Sequence, residues 1–191
     1  MKVELHPDRP RMAVNLSDGT EAILSPLNSE DRHWIEEGFD ELSMQSRYTR
    51  FGMGVAGLSA HELDYLADVD QRTHVAWGAL VGGNGAGVGR YIATAEPNSP
   101  EVAVTVLDKY QGNGLGTTLL KALVGIARHE GVDELVFKIV PDNVAVKAKL
   151  TSIGAQTTLV DGLIEGRIVV ADIPTDSIEA QLIEVFEKSR S

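Results

Sequence analysis

The chain has 191 residues, 43% hydrophobic and 24% charged, which suits one domain with a real core rather than a disordered segment. A formal net charge of −11 argues against a nucleic-acid partner, and suits either solubility alone or a cationic partner such as an amine. Zero cysteines exclude disulfides, thiol catalysis and thiolate metal sites. No apolar run reaches the roughly 20 residues of a membrane helix, and residues 1–11 have no apolar signal region, so a cytoplasmic protein is expected.

Residues 1–19 read as an extension. Glu21 to Leu27 alternates as a first strand, and Asn28 with Asp31 starts a helix carrying Ile35, Phe39 and Leu42. Arg47 to Phe51 is a short helix or turn that ends in the glycines at 52, 54 and 57. Ser59 and Glu62 form a capping box for a helix with Leu63 and Leu66. His74 to Val81 and Val88 to Thr94 are strands, and the glycine-rich link 82–87 joins them as a hairpin rather than a phosphate loop. Glu101 to Leu107 is a further strand.

Leu115, Leu119, Leu123 and Ile126 mark one face of a helix that stops at Gly131. Glu134 to Val140 is a buried strand ended by Pro141, and the helix after Asn143 turns Val146, Leu150 and Ile153 inward. Thr157 to Leu159 and Leu163 to Val170 make a last hairpin about Asp161-Gly162. Ile178, Leu182, Val185 and Phe186 form the apolar face of a tail helix that caps the domain or meets a partner chain. The order of elements predicts one α/β (α+β) domain over residues 20–173, with a mixed sheet, and a C-terminal helical tail over 174–191.

Between the strand that opens at Glu101 and the following helix lies Gln111-Gly112-Asn113-Gly114-Leu115-Gly116-Thr117. The N–H groups of a helix's first turn lack internal acceptors and carry the positive end of its dipole, so a pyrophosphate sits there favourably. Glycines allow the close approach. No lysine follows the last glycine, and Thr117 stands where a third Rossmann glycine belongs, so neither nucleotide loop fits. The spacing alone leaves open a glycine-rich helix start with no ligand.

The run VTVLDKYQGNGLGTTLL (104–120) resembles the acetyl-CoA motif of the GNAT acetyltransferases, and Pro141-Asp142-Asn143 stands in a similar context. The likeness spans roughly residues 20–170. SRYTRF (46–51), LSAHEL (58–63) and AGVGRYI (86–92) resemble the bacterial Pat-type protein-lysine acetyltransferases more narrowly. The resemblance implies a three-layer fold with six to seven strands and acetyl-CoA as co-substrate, with no metal. Backbone groups of Val104, Thr105 and Val106 would pair with the pantetheine arm, in room made by a splay or bulge of that strand. Gly112, Asn113, Gly114, Leu115, Gly116 and Thr117, preceded by Gln111, would wrap the pyrophosphate, and Asn143 would contact the cofactor. An N–H near Val106 would stabilise the oxyanion.

The resemblance also marks Glu101 as general base, its pKa raised by partial burial. The tyrosine acid of many GNAT enzymes falls on Leu150, so that acid is absent, and a thiolate leaving group needs little proton help. The five histidines have no metal-ligand spacing, and His74 reads as structural. Arg47 and Arg50 read as ion-pair partners, with lining of the acceptor cleft as the alternative, and Tyr48 and Tyr110 as packing, with the border of the substrate mouth as the alternative. The acceptor expected is a primary amine, first a protein lysine, with a small amine or antibiotic as alternative. An inert CoA-binding regulatory module and a subunit that dimerises through its last helix are the competing readings.

Overall fold

The computed structural model describes residues 1–51, 57–175 and 177–190. The described residues hold one eight-stranded sheet. Its strands are β1 (Met12–Asn15), β2 (Glu21–Pro26), β3 (His74–Val81), β4 (Asn84–Ile92), β5 (Glu101–Val106), β6 (Glu134–Ile139), β7 (Gln156–Val160) and β8 (Leu163–Val169). They lie in the order β1-β2-β3-β4-β5-β6-β8-β7. Every neighbouring pair is antiparallel except β5 and β6, which run parallel.

The count exceeds the expected six to seven because residues 1–19 are not a bare extension. Met12 and Val14 alternate inward with Ala13 and Asn15 outward, and the four pair with Leu24 to Glu21. A four-residue strand is too short for its alternation to stand out in sequence. The β3–β4 hairpin turns at Gly82 and Gly83, with φ of 57° and 75°, the left-handed pair that a two-residue hairpin demands.

Over one face lie α1 (Arg32–Asp40), α2 (Met44–Phe51) and α3 (Ala60–Ala67). Asn28 and Asp31 cap one another's backbone at the start of this layer, as Ser59 and Glu62 do for α3. The glycines at 52 and 54, expected to end α2, fall outside the described residues. Over the other face run α4 (Leu115–His129) and α6 (Glu179–Ser189), while α5 (Val144–Ser152) follows β6. The main core joins Trp77 and Tyr91 of the sheet to Leu119, Leu123 and Ile126 of α4 and to Leu182 and Phe186 of α6.

The tail helix therefore caps the domain. Leu182 touches the space above Gly125, and Arg128 Nη1 donates to both carboxylate oxygens of Glu179, at 2.8 and 2.7 Å. Leu182 is 1% exposed. Truncating such a leucine leaves a cavity, and Leu182→Ala is expected to cost about 3 kcal/mol in urea unfolding. A loss below about 1 kcal/mol would mean that α6 is not part of the cooperative unit.

Candidate active site: a parted sheet beside a helix N-terminus

The strands β5 and β6 meet at one register position, Glu101 opposite Val136. The Val136 N–H donates to the Pro100 carbonyl at 3.0 Å, and beyond that point no backbone pairing joins the two strands. On its other side β5 stays paired with β4 along its whole length. The Leu107 N–H donates to Ala86 at 2.9 Å, so by alternation Thr105 and Ala103 direct their peptide groups at β4. Val104 and Val106 direct theirs into the gap.

Of the three residues expected to pair with a pantetheine arm, the gap thus receives the backbone of Val104 and Val106. Thr105 is turned the other way; its peptide is spent on β4, and it lines a cavity under α1 instead. The Val106 carbonyl already accepts from the Gln111 side chain at 3.0 Å. The same amide reaches Ser46 of α2 at 3.3 Å, and Ser46 in turn donates to Asp108. Gln111 accordingly braces the strand end against α2 rather than pointing outward.

After β5 the chain makes a single 3-10 turn and enters the glycine loop. Gly112 and Gly114 have φ of +84° and +94°. At Gly114 a second constraint applies: an added Cβ would lie 2.5 Å from Ser17 Oγ, and Ser17 donates to the Asn113 carbonyl at 2.8 Å. The turn after β1 therefore clamps the loop, and only glycine fits between them. Asn113 Oδ1 accepts from the Leu115 N–H at 3.0 Å, while the Leu115 side chain is anchored in the core. Among the described residues, no acceptor meets the N–H groups of Gly116 and Thr117 in the first turn of α4.

Gly116 differs from Gly114 in an instructive way. A Cβ there would meet only Val106 and Val104 side-chain atoms, at 3.6 and 4.0 Å, which is ordinary contact. Gly116→Ala should leave the melting temperature within about 2 °C while weakening an anion at this loop by tenfold or more. Gly114→Ala should lower both. Equal melting and equal anion affinity in the two variants would remove the loop from the site.

Asn143 caps α5 through Oδ1, which accepts from Val146 at 3.3 Å, and its amide nitrogen remains to donate. Leu150, in the slot of the expected tyrosine, is 7% exposed and packed in the core, so it supplies no proton.

Glu101 stands where β5 leaves β6, on the face opposite α4. It is exposed, so the partial burial expected of it is absent. It lines a cleft of about 180 Å³ with Arg50, Tyr65, Arg90 and Thr94. Arg50 thus takes the cleft-lining place that was the second of its two expected roles, and Tyr65 and Arg90, which carry no signal in the sequence, join it there. Arg50 is half-buried beside Glu101; loss of solvent pulls its pKa down, and the Glu101 charge opposes that by favouring its guanidinium. Burial, and then the Arg50 charge, lower the Arg90 pKa to about 10. Arg90 Nη1 donates to the Leu66 carbonyl at 2.8 Å and lies 3.0 Å from His74 Nε2.

Since Arg90 can only donate, His74 Nε2 accepts and its Nδ1–H donates to the Asp68 carbonyl at 2.9 Å. Burial first, then the Arg90 charge, push His74 down to about 4, so the imidazole is a neutral structural acceptor, as expected. Asp70, although burial raises it, falls to about 2 through hydrogen bonds from His74, Thr73 and Arg72.

Both shifts carry the same sign for stability. An unfolded histidine takes up a proton near pH 6.5 and the folded one does not, so stability is whole above 6.5 and declines towards pH 4. The Asp70 contribution, present above its ordinary value, is then lost towards pH 2. Between pH 7 and 5 the fall should be about 2 kcal/mol by chemical denaturation, and His74→Gln should flatten it. An unchanged slope in the variant would assign the acid sensitivity elsewhere.

Among the described residues, one group has the make-up of a metal site: His129, Glu130 and Glu187, exposed and far from this cleft in the α4–α6 layer. Its members are already engaged, His129 with Glu187 at 2.8 Å and Glu130 with Arg190 at 2.7 Å. No helix among the described residues is long and apolar enough to cross a membrane.

Comparison with known proteins gives this geometry a context. The family model described as acetyltransferase (GNAT) family matches residues 33–149. An acetyltransferase of Pseudomonas aeruginosa is 35% identical over 125 residues, covering 63% of this chain and 67% of that protein. Acetyltransferase Pat of Mycolicibacterium smegmatis is 29% identical over 175 residues, 90% of this chain; the chain spans about half (52%) of that relative's length. Among solved structures, the GNAT domain of PAT from S. lividans aligns with a TM-score of 0.77 at 25% identity, over 86% of this chain and 99% of that one.

Proposed function

The chain belongs to the GNAT acetyltransferase family, and from that premise we propose that it moves an acetyl group from acetyl-CoA to a primary amine, first of all a protein lysine, in the cytoplasm. The observation that carries the reading is the parted pair β5 and β6 with the open first turn of α4 beside it. Such an arrangement offers two kinds of unpaired donor along one line: strand amides and helix-terminal amides. A pantetheine arm, which is itself amide-bearing, lies along Val104 and Val106 like an added strand. The pyrophosphate then reaches Gly112 to Thr117, and the Asn143 amide meets the cofactor from the far wall.

The thioester carbonyl lies at the Val106 N–H, which donates to its oxygen and stabilises the negative charge that grows there in the tetrahedral intermediate. Glu101, about 16 Å along β5 from Val106, takes the proton from the acceptor ammonium through a relay of waters in the cleft, because an amine at pKa of about 10.4 is otherwise charged at neutral pH. The freed nitrogen attacks the carbonyl carbon, the C–S bond breaks, and CoA leaves as thiolate without a side-chain acid. The nitrogen's second proton passes to solvent or to that thiolate. Arg50 and Arg90 add positive charge to the same wall, which disfavours the ammonium and favours the reactive amine. A protein lysine is preferred over a small amine because the likeness to Pat spans 90% of this chain, and because Glu101 opens to an exposed cleft.

Glu101→Gln tests the assignment. Turnover with acetyl-CoA and a lysine peptide should fall about 100-fold or more while the CoA dissociation constant stays within twofold, and the acid limb of the pH–rate profile should flatten. Parallel loss of turnover and CoA affinity would make Glu101 a structural residue.

A further inference from the structure

The Glu101 cleft carries more positive charge than a lysine acceptor calls for. Two guanidiniums, of Arg50 and Arg90, line it against the one carboxylate of Glu101. Arg90 is 4% exposed, and its bonds to the Leu66 carbonyl and to neutral His74 both leave from Nη1. Neither partner is charged, so neither offsets the charge of Arg90. The N–H groups on its Nη2 and Nε remain to meet a ligand in the cleft. Arg50 lies close enough to depress the Arg90 guanidinium, and two like charges side by side are costly unless an anion lies between them. Glu101 balances one of the two, and it is exposed. The phenol of Tyr65 stands in the same wall.

We propose that Arg50 and Arg90 hold a carboxylate of the acceptor, so that the preferred substrate segment carries an acidic side chain two residues from the lysine. The inference rests on the amine-acceptor reading above. Arg90 pairs with Ala103, three residues before Val106, which sets it about 10 Å along the strand from the thioester. In an extended acceptor, residues two apart share a face and lie about 7 Å from one another, and the reach of a glutamate covers the rest. The cleft has room for such a head, at about 180 Å³. With a net charge of −11, the surface at large repels a wholly acidic segment. The fit is therefore a mixed one: the acidic surface draws the lysine, and the arginine pair takes the acid beside it.

Titration calorimetry of the full chain saturated with CoA reads this without any turnover. Three lysine peptides are compared, alike except that the residues two before and two after the lysine are both Glu, both Gln or both Lys. At about 0.15 M salt, attraction beyond roughly 8 Å is screened, so the cleft decides the order. The Glu peptide should bind about tenfold more tightly than the Gln peptide, as a charge-assisted hydrogen bond allows. Arg50→Gln should cut that preference below twofold, and Arg50→Glu should reverse it in favour of the Lys peptide, which a damaged fold does not do. Equal affinity for the Glu and Gln peptides in the unaltered protein overturns the inference, as does a preference for Glu that survives Arg50→Glu. Failure of all three peptides to bind overturns it too. Acetyl transfer to the same peptides separates the two readings. A Glu preference in binding with no transfer from acetyl-CoA keeps the carboxylate site and removes the proposed function; transfer with no preference does the opposite.

Discussion

Everything at this site depends on two neighbouring strands that fail to stay paired. A sheet normally satisfies its backbone groups strand by strand, and an unpaired interior edge is costly. Here β5 holds β4 along its length yet meets β6 only at Glu101 and Val136. The change from antiparallel to parallel coincides with the parting, because the parallel connection must pass through α4. That helix then starts beside the opened strand. Strand amides and helix-terminal amides are thus brought to one groove by topology, with few side chains involved.

The surroundings hold this open geometry in place. Ser17 clamps the glycine loop from the turn after β1, and Gln111 ties the end of β5 to Ser46 and, through it, to Asp108. Arg90 fixes the floor of the Glu101 cleft through His74 and Leu66. These contacts join the turn after β1, α2, α3, β3 and β4 to one site, which accounts for polar groups so deep in the fold. The buried guanidinium of Arg90 is tolerated because its partners are neutral acceptors in fixed positions.

The sequence made the helix-terminal half of the site legible, since a strand, a glycine run and an apolar helix are local patterns. The capping box at Ser59 and the turn at Gly82-Gly83 were legible for the same reason. Strand β1 was not, because four alternating residues carry too little periodicity. In the cleft only Arg50 had a foreseen place, as an alternative to ion pairing; Tyr65 and Arg90 had none, because they come from α3 and β4 and only tertiary packing brings them to Glu101. Thr105 shows a finer limit. In sequence, Val104, Thr105 and Val106 read as one stretch of backbone, but alternation sends the middle peptide to β4. Which of three consecutive residues faces a groove depends on register, and register is fixed by the partner strand.

The most direct test is amide hydrogen exchange, residue by residue, with and without CoA. Bound CoA should slow exchange at Val104, Val106, Gly116 and Thr117 by tenfold or more, and leave Thr105, already bonded within the sheet, nearly unchanged. Protection confined to residues outside β5 and the first turn of α4 would contradict the account.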